Sequence, residues 1–247
     1  MLVLTGAGIS ADSGVPTFRG EGGLWRRHRP EELATPEAFE RDPRLVWEWY
    51  GWRRRIVAAC EPNAAHRALA AWQAADAGVR IATQNVDGLH GRAAAESGIA
   101  AVAAMLLELH GSLFRIRCLS CGRRAEHRDP IDAGSVSGLP RCAGTGGCRG
   151  PLRPDVVWFG ESLDPEVIET AFGWAGAADA CLVVGTSAVV QPAARLAEVT
   201  REAGGAVIEV NPDRTPLTPL ATVSLRGGAA AIVPRLVASD QPSVTSR

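Results

Sequence analysis

Short apolar runs alternate along the chain with longer stretches of helical period. Met1 to Leu4, Val79 to Thr83, Cys181 to Gly185 and Ala206 to Val210 are continuous and apolar, the pattern of strands covered on both faces in a parallel sheet. Helical stretches lie between them and carry start signals. Asp42-Pro43 and Asp164-Pro165 each place a capping acid before a proline at the first helical position. Asn63 is positioned to cap a helix through Ala77, ended by Gly78, and Gln191-Pro192 opens a further helix closed by Gly204-Gly205. This alternation predicts an α/β fold, a Rossmann-like parallel sheet with helices on both faces.

Two regions break the pattern. Residues 21–62 are rich in Trp and Arg with helical period, and 112–155 are rich in Gly, Arg and Cys. The expected organisation is a Rossmann-like domain from 1–20, 63–111 and 156–238, with 21–62 and 112–155 forming a smaller second domain. A polar tail, 239–247, is expected to fray. The Ala-rich segment from Ala93 to Ala104 reads as a helix or an extended loop.

Composition narrows the chemistry. Among 247 residues there are 26 arginines, no lysine, and 27 acidic residues, for a formal charge of −1. Without lysine the chain can form neither a Schiff base nor a Walker-A loop. Near-neutral charge argues against a dedicated nucleic-acid or anionic-membrane partner. The longest nearly apolar stretch, Ile99 to Leu107, is far below the ~20 residues that span a bilayer. The chain opens on an apolar run with no basic leader region, so the expected location is cytoplasmic.

Gly6-Ala7-Gly8-Ile9-Ser10-Ala11 follows the first strand and fits G-x-G-x-x-G/A, which lets a backbone approach a pyrophosphate at a helix N-terminus. A plain glycine turn has the same appearance. No strand ending in an acid follows ~20 residues on, which disfavours an ordinary hydride-transfer enzyme. Cys118-x2-Cys121 and Cys142-x5-Cys148 have the spacing of a four-thiolate structural zinc site, with no open position for catalysis. Polar residues gather at strand ends, where open parallel sheets bind ligands: Thr83 to His90, Leu109 to Ser112, Gly185 to Ser187 and Val210 to Asp213. His110 alone suits either a structural role or a general base.

Taken together, Gly6 to Ser10 with Gly14 to Arg19, Thr83 to Asp87, Leu109-His110-Gly111, the four cysteines, Phe159-Gly160-Glu161, Gly185-Thr186-Ser187 and Asn211-Pro212 resemble the sirtuins, NAD-dependent protein-lysine deacylases. The resemblance implies that NAD lies along Gly6, Ala7, Gly8, Phe18, Arg19 and Trp25. It places Gln84, Asn85 and Asp87 at the ribose–nicotinamide end and Gly185, Thr186, Ser187, Asn211 and Ala229 at the adenosine end. His110 would be the general base for a ribose hydroxyl, giving nicotinamide, free lysine and O-acyl-ADP-ribose. Acyl-lysine side chains of other proteins would enter as an extended peptide, paired with the stretch from Phe159 to Ser162.

Tyr50 and Arg53 stand three residues apart on the helix begun by Asp42-Pro43, hence on one face. Arg53 also belongs to the run Arg53-Arg54-Arg55, which suits a solvated face. Tyr50 is the single tyrosine, and Tyr-x-x-Arg resembles the class III sirtuins, which remove succinyl and malonyl groups. That resemblance implies desuccinylation over deacetylation. The alternatives are a mono-ADP-ribosyltransferase at the same NAD site, or a non-catalytic NAD- or ADP-ribose-binding module.

Overall fold

Six parallel strands, each only three to five residues long, form the centre of the molecule: β1 (Leu2–Thr5), β2 (Arg80–Thr83), β3 (Leu106–Glu108), β7 (Ala180–Val184), β8 (Ala206–Val210) and β9 (Val223–Leu225). The computed structural model describes residues 1–17, 30–98, 104–144 and 148–240. The strand order is β3-β2-β1-β7-β8-β9, which is doubly wound, with the reversal between β1 and β7. Alternating side chains go to opposite faces. Leu2, Leu4, Cys181 and Val183 pack with α6 (Pro165–Gly176) and α7 (Arg195–Glu202). Val3, Leu182 and Val184 pack on the other face with α4 (Ala64–Ala75) and α8 (Ala229–Asp240).

The second sheet is antiparallel, in the order β5 (Arg124–Glu126), β4 (Gly111–Cys118), β6 (Leu152–Val156). Its core is shared with helices from the Trp-rich region, α1 (Pro30–Leu33), α2 (Pro36–Arg41) and α3 (Pro43–Ala58). Leu33, Val46, Trp47 and Tyr50 pack against Leu113, Ile116 and Leu152. Trp47 Nε1 donates to the Leu152 carbonyl at 3.1 Å, and Arg54 reaches the carbonyls of His127 and Asp129, fixing α3 across this sheet.

The capping signals act as expected. Asp42 accepts from the Leu45 amide at 3.0 Å, Asp164 from Glu166, and Asn63 from Ala65 and His66. Several sequence expectations shift. The helix capped by Asn63 ends at Ala75, because Asp76 leaves helical geometry. The segment opened by Gln191-Pro192 makes turns, and α7 begins at Arg195. Strands β3 and β9, too short to show a period, are additions. Helix α5 (Leu89–Glu96) takes up the start of the Ala-rich segment. Helix α8 continues through Ser239 to Asp240. Among the described residues no helix is long and apolar enough to cross a membrane.

Candidate active site

The carboxyl ends of β1, β2, β7 and β8 open into a cleft of about 740 Å³. Its floor is backbone. Gly6 N–H donates to the Val184 carbonyl at 3.0 Å and Gly8 N–H to the Gly185 carbonyl at 2.7 Å. A Cβ on Gly8 would lie 2.7 Å from Gly185 Cα, and one on Gly185 would lie 2.4 Å from the Ile9 nitrogen. Glycine is thus required for the two loops to touch each other, a demand separate from any ligand. The helix that starts directly after Gly6, Ala7–Ser13, is a 3-10 helix closed by Gly14.

Gln84 and Asn85 leave β2 into the same cleft. The Gln84 amide donates to Thr186 Oγ1 at 3.0 Å, and Asn85 Nδ2 donates to the Gly6 carbonyl and Ser10 Oγ, both at 3.1 Å. Asp87 stands behind them, outside the cleft lining. Its carboxylate accepts from Ser10 Oγ at 2.8 Å and from the Leu89 amide at 2.9 Å. Burial raises the pKa of this carboxyl, opposed by those two hydrogen bonds and by the charge of Arg53.

Beneath the loop lies a buried polar network that the sequence reading missed. Ser10 Oγ is 3.4 Å from His66 Nε2, and Thr5 Oγ1 is 3.0 Å from His90 Nε2. The two imidazoles meet edge to face at 4.9 Å. Burial pushes His66 down to about 4 and His90 well below the usual imidazole range, so both are neutral. Ser10 in the glycine motif and the polar run Thr83 to His90 both belong to it, but their pairing was hidden because the partners are far apart along the chain.

His110 occupies the corner between β3 and β4. Leu109 N–H donates to the Thr83 carbonyl and Val157 N–H to the His110 carbonyl, both at 2.9 Å. Gly111 makes the corner possible: its φ is +81°, and a Cβ there would lie 2.1 Å from the Asp155 carbonyl oxygen. His110 Nδ1 is 2.9 Å from the Gln84 carbonyl oxygen. A carbonyl can only accept, so Nδ1 carries the proton and Nε2 keeps its lone pair in the neutral ring. Burial lowers the His110 pKa against that hydrogen bond. The ring is therefore neutral near pH 7, with Nε2 ready to take a proton.

Tyr50 and Arg53 line the same cleft. Arg53 and Arg54 are buried and only Arg55 is exposed, so the arginine run is no solvated face. The Arg53 guanidinium carbon lies 4.7 Å from the Trp49 ring centroid and 5.5 Å from that of Tyr50. Burial raises the Tyr50 pKa, so the hydroxyl keeps its proton. Gly185, Thr186, Ser187, Asn211 and Ala229 line the opposite end. Asn211 Nδ2 donates to the Thr186 carbonyl at 2.8 Å. Phe18, Arg19 and Trp25 lie outside the described residues.

The four cysteines converge away from the cleft. Their sulfurs all lie within 4.8 Å of one another, with Cys118–Cys148 and Cys121–Cys142 each at 3.8 Å. Metal–sulfur bonds of about 2.3 Å in a tetrahedron give edges of about 3.8 Å, so the cluster fits a zinc ion.

The family model described as Sir2 family matches residues 6–192. The chain belongs to the Sir2 family. Among Sir2-family relatives, an NAD-dependent protein deacylase of Thermococcus kodakarensis is 49% identical over 239 residues, covering 96% of this chain and 89% of that protein. A Sir2 homolog–NAD complex superposes with a TM-score of 0.85 at 48% identity, covering 96% of this chain and 88% of that one. A Sir2–p53 peptide–NAD⁺ complex gives 0.80 at 29% identity, covering 96% and 92%. Trp158 to Glu161, overlapping the stretch expected to pair with a substrate peptide, form a tight turn, closed by Glu161 N–H on the Trp158 carbonyl at 3.0 Å with Gly160 at φ +85°.

Proposed function

We propose that this chain is an NAD-dependent protein-lysine deacylase that removes acidic acyl groups, succinyl and malonyl, in preference to acetyl. Membership of the Sir2 family and the deacylase relatives support the general activity. One observation carries the acyl preference: a protonated phenol and a guanidinium, Tyr50 and Arg53, line the same cleft as the candidate base His110. Such a pair suits a carboxylate, which accepts from both, and arginine can bind it with two hydrogen bonds.

Bound NAD would supply a ribose carbon made electrophilic by departure of nicotinamide. The Gly6–Gly8 loop, Gly185 to Ser187, Asn211 and Ala229 would hold the nucleotide, and Gln84 and Asn85 its ribose–nicotinamide end. Asp87 would act from behind by fixing Ser10. His110 Nε2 would accept the proton of a ribose hydroxyl while Gln84 keeps the ring oriented through Nδ1. Four thiolates would leave a zinc ion no open position, which makes its role structural.

The test is kcat/KM for matched succinyl-, malonyl- and acetyl-lysine peptides, with mass spectrometry of the products. Higher values for the acidic acyl groups are expected. Arg53→Met should lower the succinyl-to-acetyl ratio about 100-fold, equivalent to ~2.7 kcal/mol for a lost charged partner. An acetyl preference in the wild type would overturn the acyl assignment. ADP-ribose added to the peptide without deacylation would point instead to a mono-ADP-ribosyltransferase.

A further inference from the structure

The Tyr50 hydroxyl has one proton to give and two lone pairs to receive with. Trp158 Nε1 donates to it at 2.9 Å. The Arg53 guanidinium stands beside the same ring, its carbon 5.5 Å from the Tyr50 centroid. The indole N–H thus occupies one lone pair and fixes the hydroxyl oxygen, leaving its O–H to be donated. Among the described residues no hydrogen bond uses that proton. Tyr50 is 1% exposed, and its side chain is part of the cleft wall.

Trp158 is itself held tightly. It is 2% exposed, and its ring packs 5.4 Å from Phe39. Behind it the guanidinium carbon of Arg153 lies 3.2 Å from the ring centroid. Arg153 is buried and immobilised by Glu161, with bonds of 2.6 and 2.9 Å, and by the Val156 carbonyl at 2.7 Å. The Trp158 backbone N–H donates to the same Glu161 carboxylate at 2.8 Å. A cation over an indole face is attracted to the ring and draws density from it, which strengthens the N–H as a donor. Glu161, Arg153, Trp158 and Tyr50 thus form one chain of contacts ending at the acyl end of the cleft.

We propose that Trp158 is a specificity-determining positioning residue, whose indole N–H orients the Tyr50 hydroxyl so that its proton meets the carboxylate of an acidic acyl group. An acetyl group offers no such acceptor, so the effect is confined to acidic substrates. This inference rests on the acidic-acyl reading above.

A double-mutant cycle with Trp158→Phe and Tyr50→Phe tests it, read as the succinyl-to-acetyl ratio of kcat/KM. Trp158→Phe should lower the ratio about tenfold, through KM for the succinyl peptide. In the Tyr50→Phe background the same change should move the ratio less than about twofold, because the hydroxyl it orients is gone. Equal losses in both backgrounds would mean that Trp158 only packs, and would overturn the proposal. Should Trp158→Phe fail to fold, replacing Trp158 by benzothienylalanine keeps the ring shape and removes the N–H; a wild-type ratio in that protein overturns the proposal equally. A wild type with no acidic preference overturns both readings. A wild type with the preference and an additive cycle overturns this one alone.

Discussion

At one end of the cleft the protein presents backbone, and at the other it presents side chains gathered from distant segments. The glycine end is two loops in direct contact, Gly6 to Gly8 against Gly185 and Thr186, with no room for a Cβ on Gly6, Gly8 or Gly185. The proposed acyl end is Tyr50 and Arg53 from one helix, Trp158 from beyond β6 and His110 from the β3–β4 corner. The two ends answer different chemical demands. On the proposed function, a dinucleotide of fixed structure would be held by fixed backbone, whereas a variable acyl group would be discriminated by side chains that one substitution can alter. His110, tied by Nδ1 to the Gln84 carbonyl and by its own carbonyl to Val157, joins the two ends.

The largest expected effect falls at that junction. His110→Ala should lower kcat by about 10²–10⁴-fold, the usual contribution of a positioned base. It should do so equally for succinyl and acetyl peptides, with metal content and Tm unchanged. A variant that loses one acyl activity and keeps the other would move His110 into the acyl end and dissolve the comparison. In the wild type, burial holds the His110 pKa below its ordinary 6.5, so kcat/KM should stay flat on acidification past pH 6.5 before it falls.

A smaller effect separates the support of the glycine end from the cleft itself. His66 lies under the loop with a pKa of about 4, against 6.5 when unfolded. Its folded-state pKa is depressed, so the neutral ring's contribution is fully present above pH 6.5. As pH falls the unfolded chain takes up a proton that the folded chain refuses. Stability is lost progressively between pH 6.5 and about 4, by ~3 kcal/mol for a shift of this size. His66→Gln removes the titration while retaining an acceptor at the third helical position, so α4 keeps its reciprocal cap with Asn63. Urea unfolding of both proteins across that range should show a flatter profile for the variant. Parallel profiles would mean that other groups carry the acid dependence.

The contrast between the two ends also explains what the sequence could show. Gly6 to Ser10 and Gly185 to Ser187 are contiguous because backbone sites need consecutive residues, so each could be read as a motif. Gly8 and Gly185 were legible as glycines, but their reason, contact with each other, depends on β1 and β7 being neighbours. Tyr50 and Arg53 were legible through helical spacing together with the Tyr-x-x-Arg resemblance and the single tyrosine. Trp158 was not, because its hydrogen bond to Tyr50 spans 108 residues and its indole resembles any buried aromatic in sequence. His66 was silent for the same reason, and His90, though within the polar run after β2, gave no sign of its partner Thr5. Strands β3 and β9 escaped because three residues carry no period, whereas the capped helices α3 and α6 announced themselves through Asp-Pro.

The smallest effect asks whether the acyl end depends on how its helix starts. Asp42 caps α3 by accepting from the Leu45 amide at 3.0 Å, and Tyr50 and Arg53 lie farther along the same helix. Asp42→Ala should cost ~1 kcal/mol of stability, the usual value of a lost cap. The interior of the helix is held independently of that cap, by Trp47 Nε1 on the Leu152 carbonyl and by burial of Val46, Trp47 and Tyr50. Fraying of the first turn should therefore stop before residue 47. Thermal unfolding should shift down by a few degrees, while the succinyl-to-acetyl ratio stays at its wild-type value. If the ratio falls together with Tm, Tyr50 and Arg53 are positioned by the helix as a whole. The acyl end would then be tuned by local helix stability as well as by its own side chains, and its independence from the backbone, the main contrast with the glycine end, would be lost.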